Sequence, residues 1–133
     1  MSKQQKNYAL AKSMLETLEA KEAEIEQIYI KEHGIVNVDG STPARIFMID
    51  NEATFDKANS EVSKLIEDSG LWAKILKARD DLKVAEDELI KYGLSIAPKH
   101  EREVLTKAAK TNYTTRRKII DLVFKLDAKT VAV

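Results

Sequence analysis

The chain has 133 residues, of which 44% are hydrophobic and 33% charged, with 22 basic and 22 acidic side chains. This length fits a single domain, and the hydrophobic content is high enough to form a core, which excludes a wholly disordered chain. The absence of cysteine excludes disulfides, thiolate metal sites and a cysteine nucleophile. The polar first residues and the lack of a long apolar run predict a cytoplasmic protein with no membrane partner.

Although the net charge is zero, the charges are unevenly distributed along the chain. Residues 13–68 contain thirteen acids and five bases, whereas residues 99–133 contain four acids and nine bases. An acidic first half therefore precedes a basic last segment. Such separation can direct the pairing of helices within a protein or the binding of a charged partner.

The first predicted helix covers residues 4–33. Apolar side chains recur in it at intervals of three and four, which places them along one side of a helix, and we call such a line of residues a seam. The members of this seam are Ala11, Met14, Leu18, Ile25 and Ile28. Lys21 interrupts the seam, and Gly34 predicts a helix end in which glycine takes the left-handed conformation.

Carboxylates in the first helix repeat with a spacing that can present them together to magnesium. Glu16, Glu19 and Glu22 lie three residues apart, but the acids of the third predicted helix show no matching pair. The histidines, His33 and His100, have no carboxylate three or four residues before them. We therefore expect no catalysis, no metal site and no cofactor.

Residues 35–69 allow two interpretations. The segment from Phe55 to Ile66 has helical spacing, and Asp50 or Asn51 can cap its first turn. The apolar run 46–49 either extends this second helix back to Pro43, a residue favoured at helix starts, or pairs with residues 35–38 as a short β-hairpin over 35–49. We favour the helix, because an isolated hairpin is only marginally stable in water.

The third predicted helix covers residues 71–92, between Gly70 and Gly93, each of which we interpret as a helix end. Its seam is uninterrupted: Leu71, Ile75, Ala78, Leu82, Ala85, Leu89 and Tyr92. We also expect most of the bulky apolar side chains of the protein to be buried. These are Phe47, Met48, Phe55, Trp72 and Phe124.

The fourth predicted helix covers residues 96–128, with Ser95 as its cap and Pro98 in its first turn. Polar residues Asn112 and Thr115 occupy seam positions in this helix. In coiled coils a polar seam residue can fix the register and the oligomeric state. We predict that Asn112, Thr115 and Lys21 mark an interface or fix a register, unless the seam rotates there and leaves the amide in water.

The last helix also carries a basic stretch. Lys107, Lys110, Arg116, Arg117 and Lys118 surround one aromatic residue, Tyr113. Such a surface can neutralise phosphates, so nucleic-acid binding by residues 99–118 is one interpretation. The other is that the basic helix packs on the acidic helices of the same chain.

Taken together, the patterns predict an all-α protein, a single domain over residues 1–133. We expect a four-helix antiparallel bundle with coiled-coil-like long helices. For function we expect a helical protein-interaction or assembly module that forms homo-oligomers and has no small-molecule substrate. The alternative is a nucleic-acid-binding helical protein.

Overall fold

The computed structural model describes residues 2–96, 106–107, 110 and 113–132, with the backbone alone for residues 125–132. Within this part of the chain there are four α-helices and no β-strand, which confirms the all-helical class. The helices are α1 (Lys3–Glu32), α2 (Glu52–Asp68), α3 (Leu71–Ile96) and α4 (Tyr113–Ala132). None of the helices in these residues is both long and apolar enough to span a lipid bilayer.

Contacts along the chain define two compact units. The terminal unit consists of Met1–Ser13 and Asp80–Val133, and the central unit consists of Met14–Arg79. Each unit has its own hydrophobic core, and α1 and α3 contribute residues to both. That residues 1–133 fold as one domain stays a prediction of the sequence.

The core of the terminal unit joins α1, α3 and α4. Its buried apolar residues are Tyr8, Ala85, Leu89, Ile90, Ile119, Ile120 and Val123. The start of α1 is a reciprocal cap, in which Ser2 Oγ accepts from the Gln5 N–H at 3.1 Å and Gln5 Oε1 accepts from the Ser2 N–H at 2.6 Å. Gln5 is itself buried, and its Nε2 donates to the carbonyl of Val123 at 3.1 Å, so the cap also ties α1 to α4.

The core of the central unit joins α1, α2 and the start of α3. Its buried residues include Leu18, Ile30, Ile46, Ala58, Val62, Ile66 and Ile75. The seam of α3 is confirmed, because its members are buried or half-buried throughout. The seam of α1 is confirmed only in part, because Met14 and Ile28 are exposed while Tyr29 and Ile30 are buried.

Three of the predicted helix boundaries are confirmed. The helix α2 ends at Asp68, just before Gly70, which has a φ of 77°. Gly34 has a φ of 59°, its N–H donates to Lys31 at 3.2 Å, and the next N–H, that of Ile35, donates to Ile30 at 3.1 Å. This is the hydrogen-bond pattern of a Schellman motif. At the start of α2, the Asn51 side chain accepts from the Thr54 N–H at 2.9 Å.

The predicted helix end at Gly93 is wrong, because α3 continues through this residue to Ile96. Gly93 is buried, and a Cβ built on it would lie 2.7 Å from Ile119 Cγ2 and 2.9 Å from Val123 Cγ2. Close packing of α3 on α4 therefore accounts for the glycine. Ser95, predicted as the cap of the next helix, lies inside α3 and donates its hydroxyl to Tyr92 at 2.6 Å.

Neither interpretation of residues 35–49 is correct. These residues contain no strand, and α2 begins at Glu52, after a single turn of 3-10 helix at Ile46–Met48. Asn37 holds the segment together, because its side chain donates to the Met48 carbonyl at 3.2 Å and accepts from the Asp50 N–H at 3.1 Å. Residues 35–38 and 46–50 are thus connected by side-chain hydrogen bonds of Asn37, where a hairpin would have backbone hydrogen bonds between two strands.

Candidate interaction site

The central unit contains a mainly apolar cleft with a volume of ≈ 400 Å³. Residues from α1, the 3-10 turn, α2 and the start of α3 line it. We call it the aromatic cleft, and its lining comprises Phe47, Phe55 and Trp72 with Ile46, Val62 and Ile66, and the polar residues Glu22, Glu26, Arg45, Asn59, Ser63 and Glu67. The volume lies within the range of about 300–1,000 Å³ that is common for binding pockets.

Glu26 positions the 3-10 turn that forms one side of the cleft. It is only 7% exposed, and its Oε1 accepts from the Ile46 N–H at 3.0 Å. Its Oε2 accepts from Arg45 Nε at 2.9 Å and also from Arg45 Nη2. One buried carboxylate therefore satisfies both the guanidinium of Arg45 and the start of the turn. Sequence analysis missed Glu26, because its partners come from a segment about twenty residues away.

Two aromatic side chains at the cleft contradict the expectation that they are buried. Phe47 is 68% exposed and Trp72 is 42% exposed. The guanidinium carbon of Arg45 lies 5.9 Å from the centre of the Phe47 ring, and that of Arg79 lies 5.5 Å from the Trp72 ring. These distances are typical of cation–π contacts, which orient the rings while leaving their other faces in water. Met48, expected in the core, is exposed as well.

The cleft carries a negative charge. Three carboxylates and one guanidinium line it, and the guanidinium of Arg45 is already bound by Glu26. Glu22 Oε1 lies 3.6 Å from Arg45 Nη2. The hydrogen bond to Glu26 and the nearby charge of Glu22 raise the pKa of Arg45 above its usual value. Arg45 therefore stays charged, and its single positive charge faces both Glu26 and Glu22, which leaves the lining negative.

A second polar cluster of the central unit connects α1 to α2. The hydroxyl of Tyr29 donates to Glu61 Oε2, and the ring of His33 stacks on Tyr29 with 3.9 Å between ring centres. Burial and the hydrogen bond to Glu61 raise the pKa of Tyr29 to about 12. His33 Nδ1 also lies 2.9 Å from the carbonyl oxygen of Tyr29, in the last turn of α1. The side chain of His33 therefore contacts the C-terminal end of this helix.

The residues predicted to mark an interface lie in different parts of the chain. Lys21 is exposed on α1 in the central unit, and Thr115 is half-buried on α4 in the terminal unit. Asn112 lies outside the described residues. Their role at an interface or in fixing a register stays a prediction.

Among the described residues of the predicted basic segment, Arg116 forms ion pairs within the terminal unit. Arg116 donates to Glu86 Oε1 through Nε and Nη2, at 3.2 and 3.1 Å, and through Nη2 to Asp87 Oδ1 at 2.5 Å. These hydrogen bonds, the one to Asp87 foremost, raise the pKa of Arg116. The exposed residues are Lys107, Lys110, Tyr113, Arg117 and Lys118.

No group of three or more potential metal-ligating side chains occurs among the residues that the structure describes. Glu22, the last of the three evenly spaced glutamates, instead lies beside Arg45 at the aromatic cleft. His100 lies outside the described part of the chain.

Comparison of the sequence with protein-family models, with curated proteins and with solved structures found no significant match in any of the three.

Proposed function

We propose that this chain is a cytoplasmic helical interaction module that assembles with itself and performs no catalysis. The observation that carries the proposal is the aromatic cleft, where exposed Phe47 and Trp72 stand beside the buried side chains of Val62 and Ile66. Aromatic residues are enriched in the central parts of protein interfaces, where they dominate the binding energy.

Covering the exposed rings of Phe47 and Trp72 with a partner would remove apolar surface from water and so favour association. An aromatic side chain buries about 150–250 Å² when it is fully covered. At roughly 25 cal/mol per Å² of apolar area, covering the exposed parts of Phe47 and Trp72 favours association by a few kcal/mol. The cation–π contacts with Arg45 and Arg79 orient both rings before binding, which lowers the entropy lost on association.

For the arrangement of the helices we propose a four-helix antiparallel bundle with coiled-coil-like long helices. The connection between α2 and α3 supports this proposal, because it consists of Ser69 and Gly70 alone. Connections this short are typical of neighbouring antiparallel helices in bundles.

Self-association is tested by sedimentation velocity over a wide range of protein concentration. We expect oligomers of the wild-type chain, and about tenfold weaker association in Phe47→Ser and in Trp72→Ser, since each removes a few kcal/mol of apolar burial at most. Leu65→Ser is the matched control, because Leu65 is an exposed apolar residue of α2 outside the cleft. A wild-type chain that stays monomeric at millimolar concentration would contradict the proposed self-association.

The predicted register residues add a second test of assembly. If Asn112 and Thr115 set the oligomeric state, then Asn112→Leu changes the mass of the oligomer in solution. Lys21→Leu tests the exposed lysine of α1 in the same way. An unchanged mass in both variants would remove these residues from the interface.

Nucleic-acid binding by the basic segment 99–118 is the second candidate. The observation that favours it is an exposed Tyr113 with the exposed bases Arg117 and Lys118 close by on α4. A base can stack on such a ring while the cations contact phosphates. Fluorescence anisotropy with labelled DNA and RNA tests it, and binding must weaken with salt and on Arg117→Gln. Arg116→Gln is a poor probe, because Glu86 and Asp87 already bind Arg116.

A further inference from the structure

We propose that the aromatic cleft of one copy binds the Tyr113 face of a second copy, so that the protein assembles head to tail. The Tyr113 face consists of the α4 residues Tyr113, Arg117 and Lys118, all exposed. This inference rests on the proposed function and names the partner of the cleft.

The cleft provides the acidic, apolar half of the contact. Three carboxylates, those of Glu22, Glu26 and Glu67, line the concavity with one guanidinium, that of Arg45. The same lining includes the apolar side chains of Phe47 and Trp72. A matching partner must therefore present cations around an apolar anchor.

The Tyr113 face meets this requirement. Tyr113 is 72% exposed, and its ring combines an apolar body with a hydroxyl that stays compatible with water at an interface. Arg117 follows Tyr113 by four residues on α4, a spacing that places both side chains on one side of a helix. An aromatic anchor thus lies beside exposed cations of the same helix.

The charge balance of the whole chain favours a second copy over a nucleic acid as the partner. The chain has 22 acids and 22 bases, and thirteen of the acids lie in residues 13–68. A chain with no net charge has no overall attraction for a polyanion, whereas another copy offers the acidic residues 13–68 as a complement to the cations of the Tyr113 face.

The contact joins two different surfaces, so it is heterologous. Each added copy leaves one cleft and one Tyr113 face open, and assembly continues into a ring or a filament instead of stopping at a symmetric dimer. The attraction between exposed charges is screened by salt, so association must weaken as the ionic strength rises.

Reciprocal charge reversal tests the inference by sedimentation velocity. Glu67→Lys alters the cleft, and Arg117→Glu alters the Tyr113 face. Glu67 lies in the last turn of α2, where lysine is favoured by the helix dipole, so this variant keeps its fold. We expect about tenfold weaker association in each variant alone. In an equimolar mixture the intact cleft of Arg117→Glu meets the intact face of Glu67→Lys, and the altered cleft meets the altered face, so association returns.

The control variants are Asp56→Lys and Lys83→Glu, which reverse exposed charges on α2 and α3 outside both surfaces. Both must associate as the wild type does. If Glu67→Lys and Arg117→Glu also associate as the wild type, or if their mixture stays monomeric, the head-to-tail contact is wrong while self-association stands. A monomeric wild type overturns both proposals, and DNA or RNA binding that Arg117→Glu abolishes then assigns the Tyr113 face to nucleic acid.

Discussion

Gly93 of α3 and Ile119 of α4 approach so closely that a Cβ on Gly93 would lie 2.7 Å from Ile119 Cγ2. Val123 Cγ2 lies at 2.9 Å from the same position. Both methyl groups belong to β-branched side chains, whose χ1 angles have little freedom in a helix. The terminal unit therefore depends on the absence of a side chain at residue 93.

We expect Gly93→Ala to destabilise the protein by about 1–2 kcal/mol. Alanine improves helix propensity by about 1 kcal/mol, but overpacking costs about 1–3 kcal/mol, and the rigid neighbours place this site at the upper end. Urea unfolding of Gly93→Ala, of Val123→Ala and of the double variant Gly93→Ala/Val123→Ala measures the coupling energy between residues 93 and 123. Val123→Ala removes one of the two clashing methyl groups, so purely additive effects would show that the close approach is not the cause.

We expect Glu26→Gln to lower the free energy of unfolding by about 2 kcal/mol. The substitution keeps the size of the side chain but leaves Arg45 without its main counter-charge in a partly buried site, a loss reduced by the solvent that reaches Arg45. Glu22→Gln is the matched control, because Glu22 Oε1 lies 3.6 Å from the same guanidinium and the side chain is more exposed. Chemical denaturation should show a loss of at most about 0.5 kcal/mol for this control. Equal losses in the two variants would refute the special role of Glu26.

The raised pKa of Tyr29 predicts that the free energy of unfolding falls at alkaline pH. Its pKa is raised from 10.0 to about 12 in the folded protein, so folding favours the protonated phenol. The stabilisation is complete below pH 10 and is lost as the pH rises through about 12, because the unfolded chain ionises first. The difference in unfolding free energy between wild type and Tyr29→Phe should shrink over this interval.

The phenolate absorbance gives an independent measurement for the same residue. Tyr29→Phe should lose the spectroscopic component that titrates at about 12. In Glu61→Gln this component should shift downwards but stay above 10.0, since burial of Tyr29 remains. A titration curve unchanged by Tyr29→Phe, apart from its smaller total amplitude, would disprove the assignment.

Arg116 and Arg117 are adjacent, yet we expect their substitution to affect different properties, stability for Arg116 and association for Arg117. Arg116→Gln removes the pairs with Glu86 and Asp87 and should cost about 1 kcal/mol of stability, because the site is partly exposed. Arg117→Gln should leave thermal unfolding unchanged and weaken association, since Arg117 is exposed. Thermal unfolding and sedimentation of the two variants, side by side, measure both effects. Equal stabilities would show that the Arg116 pairs contribute nothing to the fold.

Much of the local structure follows from neighbouring residues and is therefore predictable. The regular seam of α3 identifies its buried side, from Leu71 to Leu89. Asn51 caps α2, and Gly34 ends α1, because each acts on backbone groups within a few positions. The cap formed by Ser2 and Gln5 also has a recognisable pattern, serine followed three residues later by glutamine, and was overlooked.

The candidate site was less predictable, because its features depend on distant partners. Nothing near Glu26 in the chain indicates that it binds Arg45 and the Ile46 N–H. Helical spacing alone also favoured burial of Phe47 and Trp72. Their exposure follows from the 3-10 turn and the start of α3, which direct them to the cleft.

By itself, the sequence determined that the described chain is helical, where α1 and α2 end and where α3 begins, since spacing and capping act over a few residues. Only the tertiary structure decided that Gly93 is a packing contact and that Pro43 begins no helix. It also decided which aromatic rings remain in water. The physical reason is that burial, close approach and ion pairing are set by side chains brought together from distant parts of the chain.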